Sequence, residues 1–420
     1  MVDDVLAIQK CSNETVKQNA VINAFVESKK LKLSKSKCYK IHIEKKLKNR
    51  KQCAKIKVHE DQMKDSAKQK YLGDIIDTTG KNRSTIEDRK IKGYGMVAEI
   101  LAIIKDIPLG QYKIEIGLKL RQAMLLNMLL FNSEAWHDVS DAEIKILETV
   151  DEHLLRALVN GHSKTPLEFL YLESGAIPIR FILACRRMTY LQTILKRNEN
   201  ELTKRIFKAQ KENPTKGDFY CQVLEDFDLI GEILNEEEVA NKSKISHKNN
   251  IKQKIKTAAL SFLLNKKQNH SKIKDIQYTK LETQNYMTSP LFQNSEVCLL
   301  FALRSKYIDC KANFKSKYRY THLLCDYCTE SDCTQQHILQ CKVLNSHLQS
   351  KEAVNENFEY NDLFKNVHKQ KVIVTMFTKL LDIRNELKNQ EKSTNPSILD
   401  RMLERSYNLQ PSNVNFSSGT

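Results

Sequence analysis

The clearest helical pattern in the chain is the stretch SDAEIKILETVDEHLLRAL, residues 140–158. Ser140 and Glu143 have the spacing of a capping box, in which the side chain of each residue accepts a hydrogen bond from the backbone N–H of the other. The apolar residues that follow recur every three or four positions: Ile144, Leu147, Val150, Leu154 and Leu158. This spacing predicts an amphipathic helix with one buried stripe.

Helical signals continue on the C-terminal side of this stretch. Thr165, Pro166 and Glu168 predict the start of the next helix, with Thr165 as the N-cap and Pro166 in the first turn. Gly175 predicts the end of that helix, and Pro178 predicts the start of another. Apolar periodicity predicts further helices over residues 16–28, 251–263 and 372–383.

The first 80 residues add strand signals to this helical pattern. Apolar residues predict short strands within residues 2–8, 39–43, 56–58 and 71–76. Only 11 Gly and 7 Pro occur among 420 residues, which excludes collagen-like and Pro/Gly-rich disordered chains. We therefore predict a mixed but predominantly α fold.

The chain is strongly basic. Lys and Arg number 68 against 51 Asp and Glu, for a formal charge of +17, which favours a polyanionic partner such as RNA or DNA. The N-terminus lacks the basic start and apolar run of a secretory signal, and the most apolar uncharged window, residues 123–131, is too short for a membrane span. The sequence thus predicts an intracellular protein, nuclear or cytoplasmic, with no membrane partner.

The most specific local motif is Cys325-x2-Cys328-x8-His337-x3-Cys341. Three thiols and an imidazole at this spacing suit tetrahedral zinc, and a closed set of four protein ligands is typical of a structural site. Cys333 lies inside the loop and could replace one ligand. The alternative is that these cysteines cluster by coincidence.

A second candidate site lies at the N-terminus. Asp3 and Asp4 are followed by an apolar run, which would place two adjacent carboxylates at the turn of a β-hairpin. Polymerases use such carboxylates to hold the divalent ions that activate a 3′-hydroxyl and neutralise the leaving pyrophosphate. Two aspartates near an N-terminus are more often solvated surface charges, so both interpretations stay open at this point.

A series of short blocks resembles the second half of the reverse transcriptase of non-LTR retrotransposons. In chain order the blocks are VDD at 2–4, LKLSKSKC at 31–38, YLGD at 71–74, LR at 120–121, NSEAW at 132–136, LESGAIP at 172–178, RR at 186–187, LR at 303–304 and ANF at 312–314, followed by the cysteine motif. In this family they mark the aspartate-pair palm motif, the lysine-bearing segment after it, the start of the primer grip, the thumb and the C-terminal region. Their order along most of residues 1–390 carries the resemblance.

The resemblance implies an RNA-directed DNA polymerase, a nucleotidyltransferase that carries out target-primed reverse transcription in the full-length transposable element. Asp3 and Asp4 would be the catalytic ligands of magnesium. Nucleic acid would contact Lys32, Lys35, Lys37, Tyr71, Leu72, Gly73, Arg186 and Arg187. Zinc would be bound by Cys325, Cys328, His337 and Cys341.

Two departures from the family pattern shape the expected activity. Met1 stands where the family usually has an aromatic residue before the aspartate pair, and the family's fingers and first palm motif precede that pair. A two-ion site without its other carboxylate should not align substrates. We therefore expect a truncated element, with a missing N-terminal polymerase half, that retains nucleic-acid binding and has lost catalysis.

The predicted organisation has six parts. They are a partial palm at 1–80, a helical thumb-like region at 81–220, a charged connector at 221–290, a zinc knuckle at 291–345, a C-terminal helical segment at 346–410 and a disordered tail at 411–420. Two alternative functions remain: a non-catalytic, zinc-dependent RNA- or DNA-binding protein, and a helical protein-interaction module whose lysines serve solubility alone.

Overall fold

The structure of the chain is a computed structural model. It describes residues 8, 12–31, 38–43, 57–58, 61–62, 64–107, 112–308, 310–314, 322–349 and 360–394. Helices account for 64% of the residues that the structure describes and strands for only a small fraction, which confirms the predominantly α prediction.

The described helices and strands follow one another in this order: α1 Ser12–Ser28, β1 Tyr39–Lys40, β2 Lys57–Val58, β3 Asp61–Gln62, β4 Lys64–Asp65, β5 Lys68–Tyr71, β6 Asp74–Asp77, α2 Arg83–Lys105, α3 Lys113–Leu120, a π-helical segment Arg121–Leu125, α4 Leu126–Leu129, a 3-10 turn Ser133–Ala135, α5 Asp141–Leu158, α6 Leu167–Ser174, α7 Ile179–Leu195, α8 Leu202–Glu212, α9 Phe219–Leu229, α10 Glu236–Asn241, α11 Lys244–Lys267, α12 Asn285–Thr288, α13 Asn294–Arg304, α14 Gln335–Gln340, α15 Lys342–Gln349, a 3-10 turn Tyr360–Phe364 and α16 Val367–Thr394. In the part of the chain that is described, no helix is long and apolar enough to cross a membrane.

The chain divides into two compact units. The first unit contains Met1–Leu109, Lys113–Leu158 and Pro166–Gln284, and the second contains Gly110–Tyr112, Val159–Thr165 and Asn285–Thr420.

The first unit is built around α2 and α5, which pack on each other along their apolar faces. The capping box predicted at the start of α5 is present: the Ser140 N–H donates to Glu143 Oε2 at 2.9 Å, and the Glu143 N–H donates to Ser140 Oγ at 3.3 Å. The predicted stripe is buried, with Leu147, Val150 and Leu154 fully covered. Trp136 is also buried in the core that contains this stripe.

Helix α6 ends as predicted at Gly175, which has a left-handed φ of +66°. Its start differs from the prediction, since Pro166 rather than Thr165 is the N-cap and no side chain caps the helix. The segment before residue 284 returns to the end of α6: the Gln284 N–H donates to the Glu173 carbonyl at 2.9 Å, and Thr283 Oγ1 donates to the Ser174 carbonyl at 2.8 Å.

The strands form three separate two-stranded sheets within the described residues. The predicted strand over 71–76 is wrong, because β5 and β6 form an antiparallel hairpin in which Tyr71 pairs with Asp74. Leu72 and Gly73 are the two turn residues, with φ values of 46° and 93°. Positive φ at both positions is characteristic of a type I′ turn, which matches the twist of a two-residue hairpin.

The helix predicted over residues 251–263 lies within α11, which packs on α6 and α7. Its buried face carries His247, Ile251, Ile255, Ala259 and Leu263, each about one helical turn after the previous one.

The second unit has a core formed by α13, α14, α15 and α16. Leu300, Phe301, Ile338, Val374 and Phe377 are among its buried residues. The predicted helix over 372–383 lies within α16.

Candidate metal centre

Cys325 and Cys328 are carried by a short hairpin in the second unit. Leu324 and Asp332 form an antiparallel bridge, the Cys333 N–H donates to the Leu323 carbonyl at 2.7 Å, and the Cys325 N–H donates to the Ser331 carbonyl at 2.8 Å. These bonds fold the intervening turn back on itself, so that both thiols face the same side.

His337 and Cys341 are positioned by α14. Thr334 caps this helix, since its Oγ1 accepts a hydrogen bond from the His337 N–H at 2.9 Å. The helix ends at Gln340, and Cys341 is its C-cap. His337 and Cys341 are four residues apart, which places both side chains on one face of a helical turn.

The four ligand atoms converge. All lie within 4.8 Å of one another, with Cys325 Sγ 3.9 Å from Cys341 Sγ and Cys328 Sγ 3.2 Å from His337 Nε2. Two sulfurs bound to one tetrahedral zinc at about 2.3 Å would be separated by roughly 3.8 Å. The spacing of Cys325 and Cys341 is close to this value, so the cluster can hold a metal ion and is compatible with zinc.

The surroundings affect the ligands' protonation in different ways. Burial raises the pKa of the Cys341 thiol to about 11. Burial would also raise the pKa of Cys328, but hydrogen bonds from the backbone N–H groups of Glu330 and Ser331 make the net shift downward. Burial lowers the pKa of His337, which favours the neutral imidazole that coordinates metals. A bound zinc ion would remove the thiol protons, because a coordinating thiol is deprotonated.

Cys333 is not part of the cluster. Its thiol is buried, and burial raises its pKa. Its backbone forms the base of the hairpin instead, with its carbonyl accepting a hydrogen bond from the Ala312 N–H at 3.1 Å. Sequence reasoning missed Thr334 and Ser331 here. The Thr334 hydroxyl accepts a hydrogen bond from the His337 N–H, and the Ser331 carbonyl accepts one from the Cys325 N–H, so both residues orient ligands. Neither residue has a spacing that marks this role in the sequence.

The N-terminal candidate residues lie outside the described part of the chain. These are Asp3, Asp4, Lys32, Lys35 and Lys37. Their roles in binding magnesium and nucleic acid stay predictions.

Tyr71, Leu72 and Gly73 form the tip of the β5–β6 hairpin, which is held against α2 and Asn132 by polar contacts. Arg89 Nη2 donates to the Gly73 carbonyl at 2.9 Å, and Asn132 Nδ2 donates to Asp74 Oδ2 at 2.9 Å. The Leu72 side chain is 61% exposed and is the part of this motif that remains most open to a partner.

Arg186 and Arg187 contact protein groups. Arg187 is buried and forms a two-point ion pair with Asp226 at 2.6 Å for both Nε and Nη2. Arg186 is half-buried and donates to the Leu130 carbonyl. The structure thus gives both arginines an intramolecular role, and contact with nucleic acid stays a prediction for them.

None of the protein-family models, curated proteins or solved structures compared with the chain matches it.

Proposed function

We propose that this protein binds RNA or DNA and that a structural zinc ion stabilises its second unit. The observation that carries the zinc part of the proposal is the closed set of Cys325, Cys328, His337 and Cys341, whose ligand atoms lie within 4.8 Å of one another. Four protein ligands leave no coordination position for a reacting water, so the ion would hold the fold rather than catalyse.

The charge of the chain supports a polyanionic partner. A formal charge of +17 gives long-range attraction to phosphates, and lysines that replace condensed counterions make such binding steeply dependent on salt. Fluorescence anisotropy with labelled RNA and duplex DNA at two salt concentrations tests this. We expect similar affinities for unrelated sequences and a marked loss at the higher salt concentration.

The charge-neutralised variant Lys32→Gln, Lys35→Gln, Lys37→Gln provides a comparison within the same experiment. For every phosphate that the variant no longer binds, the salt slope should flatten by about one unit. Binding that does not change with salt, or no binding at low salt, would contradict the proposal and favour a protein-interaction module.

A second candidate is derivation from a reverse transcriptase, with RNA-directed DNA synthesis as the ancestral activity. The contacts among the resemblance blocks support it: Asn132 of NSEAW bonds Asp74 of YLGD, Arg121 of LR bonds the Ile177 carbonyl of LESGAIP, and Arg186 of RR bonds the carbonyl of Leu130, two residues before NSEAW. These blocks would then mark the partial palm and the thumb-like region.

This candidate predicts preferential binding of a primer–template RNA–DNA hybrid over either single strand, since a thumb grips a duplex. Competition binding measures that preference. Primer extension with magnesium on an RNA template tests catalysis, and extension that disappears in Asp3→Ala and Asp4→Ala would show that the pair holds the catalytic ions.

A further inference from the structure

One face of α11 carries an uninterrupted row of lysines. The helix Lys244–Lys267 contains seven Lys and no Asp or Glu. Four of the lysines occur at every fourth residue, are exposed, and together form the lysine stripe: Lys244, Lys248, Lys252 and Lys256. Because residues four apart are neighbours on a helix surface, the four ammonium groups follow one another along the same side.

The lysine stripe is also uncompensated. Within the described part of the chain, none of its four members forms an ion pair with a carboxylate, whereas Lys254 of the same helix pairs with Glu232 at 2.7 Å. Some other exposed lysines of the first unit are paired with carboxylates: Lys119 with Glu115, Lys145 with Glu152, Lys208 with Glu199, and Lys211 with Glu236. Isolated exposed lysines such as Lys90, Lys216 and Lys280 form no such pair among the described residues, but they are not arranged in a row.

This arrangement disfavours the helix that carries it. Like charges four residues apart repel each other, and Lys244 in the first turn lies at the positive end of the helix dipole. Lysines that served solubility alone would be as effective when interleaved with carboxylates. The uncompensated row therefore points to an external anion.

The geometry distinguishes between anionic partners. The apolar face of α11, which includes Ile251 and Ile255, is buried within the first unit and is not available to enter a lipid bilayer. No Phe, Tyr or Trp occurs between Lys244 and Lys256, and the imidazole of His247 is buried, so the stripe has no exposed ring for stacking unpaired bases. Contact with the phosphates of a duplex requires neither feature.

The dimensions also fit a duplex. Twelve residues of helix at 1.5 Å each span about 18 Å, over which a nucleic-acid duplex carries roughly ten phosphates. We propose that the lysine stripe is the docking surface for the phosphate backbone of a nucleic-acid duplex. The proposal rests on the proposed function, nucleic-acid binding, and assigns residues to it.

The test compares two variants with the same change in net charge. The stripe variant changes Lys244, Lys248, Lys252 and Lys256 to Gln, and the control variant changes the carboxylate-paired Lys119, Lys145, Lys208 and Lys211 to Gln. Binding of labelled duplex DNA and RNA–DNA hybrid is measured over a salt series. We expect the stripe variant to bind roughly tenfold or more weakly and its salt slope to fall by about three units, while the control variant changes little.

Several outcomes would overturn the inference. Equal losses in the two variants would mean that only net charge matters, and unchanged duplex binding by the stripe variant would place the contact elsewhere while leaving the proposed function standing. Loss of binding to phosphatidylserine vesicles with no loss on duplex would assign the stripe to a membrane. A wild-type chain that binds no nucleic acid would contradict the proposed function itself.

Folding is controlled separately. Changing the four stripe lysines to Arg keeps the charge, so this variant should bind like the wild type. Circular dichroism should show equal helix content in all variants, since the four side chains are exposed. Loss of binding in the Arg variant would count against a phosphate-backbone contact.

Discussion

Arg121 and Asp151 form a two-point ion pair in the interior of the first unit, with Nε–Oδ1 at 2.6 Å and Nη2–Oδ2 at 2.7 Å. Arg121 Nη2 also donates to the Ile177 carbonyl at 3.1 Å, and the Tyr171 hydroxyl donates to Asp151 Oδ2 at 3.1 Å. The pair therefore joins the π-helical segment, α5, α6 and the segment before α7. Both the Arg121 guanidinium and the Asp151 carboxylate form a further hydrogen bond beside the ion pair.

Removing one partner should be costly. Asp151→Ala leaves the buried Arg121 guanidinium without its counter-ion, and we expect the free energy of unfolding to fall by about 3–5 kcal/mol. Urea denaturation measures this. The control is Asp141→Ala, because Asp141 is 84% exposed in its pair with Arg180 and should contribute no more than about 1 kcal/mol. Equal effects in the two variants would show that water reaches the Arg121 pair.

Arg187 should act on stability rather than on binding. Arg187→Ala leaves Asp226 buried and unpaired, so a loss of about 3–5 kcal/mol is expected. The double variant with Asp226→Ala should lose less than the sum of the two single variants, because it removes both charges. A folded Arg187→Ala protein with wild-type stability and a reduced salt slope for RNA would instead support the predicted nucleic-acid contact.

Gly175 should tolerate no side chain. A Cβ there would lie 2.2 Å from the Thr283 backbone nitrogen, in addition to the strain of a left-handed φ. Gly231 has a similar φ of +70°, and a Cβ added to it would meet no atom within 4 Å, so this position isolates the strain. Thermal unfolding should show a loss of roughly 1–2 kcal/mol for Gly231→Ala and a clearly larger loss for Gly175→Ala.

The metal centre makes a prediction about stoichiometry. The purified chain should contain about one zinc ion, and the double variant Cys325→Ser, Cys341→Ser should contain almost none. Elemental analysis after dialysis decides this. Cys333→Ser is the matched control, because that thiol is buried outside the cluster, and zinc loss in this variant would mean that Cys333 is a ligand.

His247 should make stability depend on pH. Burial lowers the pKa of this imidazole below 6.5, while its Nε2 lies 3.2 Å from the Met188 carbonyl. The unfolded chain therefore binds a proton more readily than the folded chain, so stability is complete above pH 6.5 and falls as the pH decreases below it. Denaturation midpoints from about pH 7.5 to about 5 should show this trend. His247→Leu should weaken the trend, whereas His153→Gln, at an exposed site, should not.

Much of the helical fold was predictable because its signals are local. The capping pair Ser140 and Glu143, the left-handed Gly175 and the apolar rows of α5 and α11 each act within a few residues. The convergence of Cys325, Cys328, His337 and Cys341 was predictable for the same reason, since all four lie within one hairpin and one helix.

Other features depend on contacts that sequence spacing does not report. The turn at Leu72 and Gly73 was missed because the apolar residues on either side gave the pattern of a single strand. The buried partners of Arg121 and Arg187 lie 30 and 39 residues away, so nothing near either arginine shows that it is internal. In the sequence the lysine stripe was visible only as part of the charged connector, because its row becomes apparent only when the helix and its carboxylate pairs are known.

The hydrogen bond between Ser174 and Thr283 joins residues 109 positions apart. The chain leaves this point at Gly175, builds α7 to α11, and returns to the same point at Gln284. Closing so long a loop costs chain entropy that is recovered only once the intervening helices have packed. The return segment should therefore be among the last parts of the first unit to become ordered during folding.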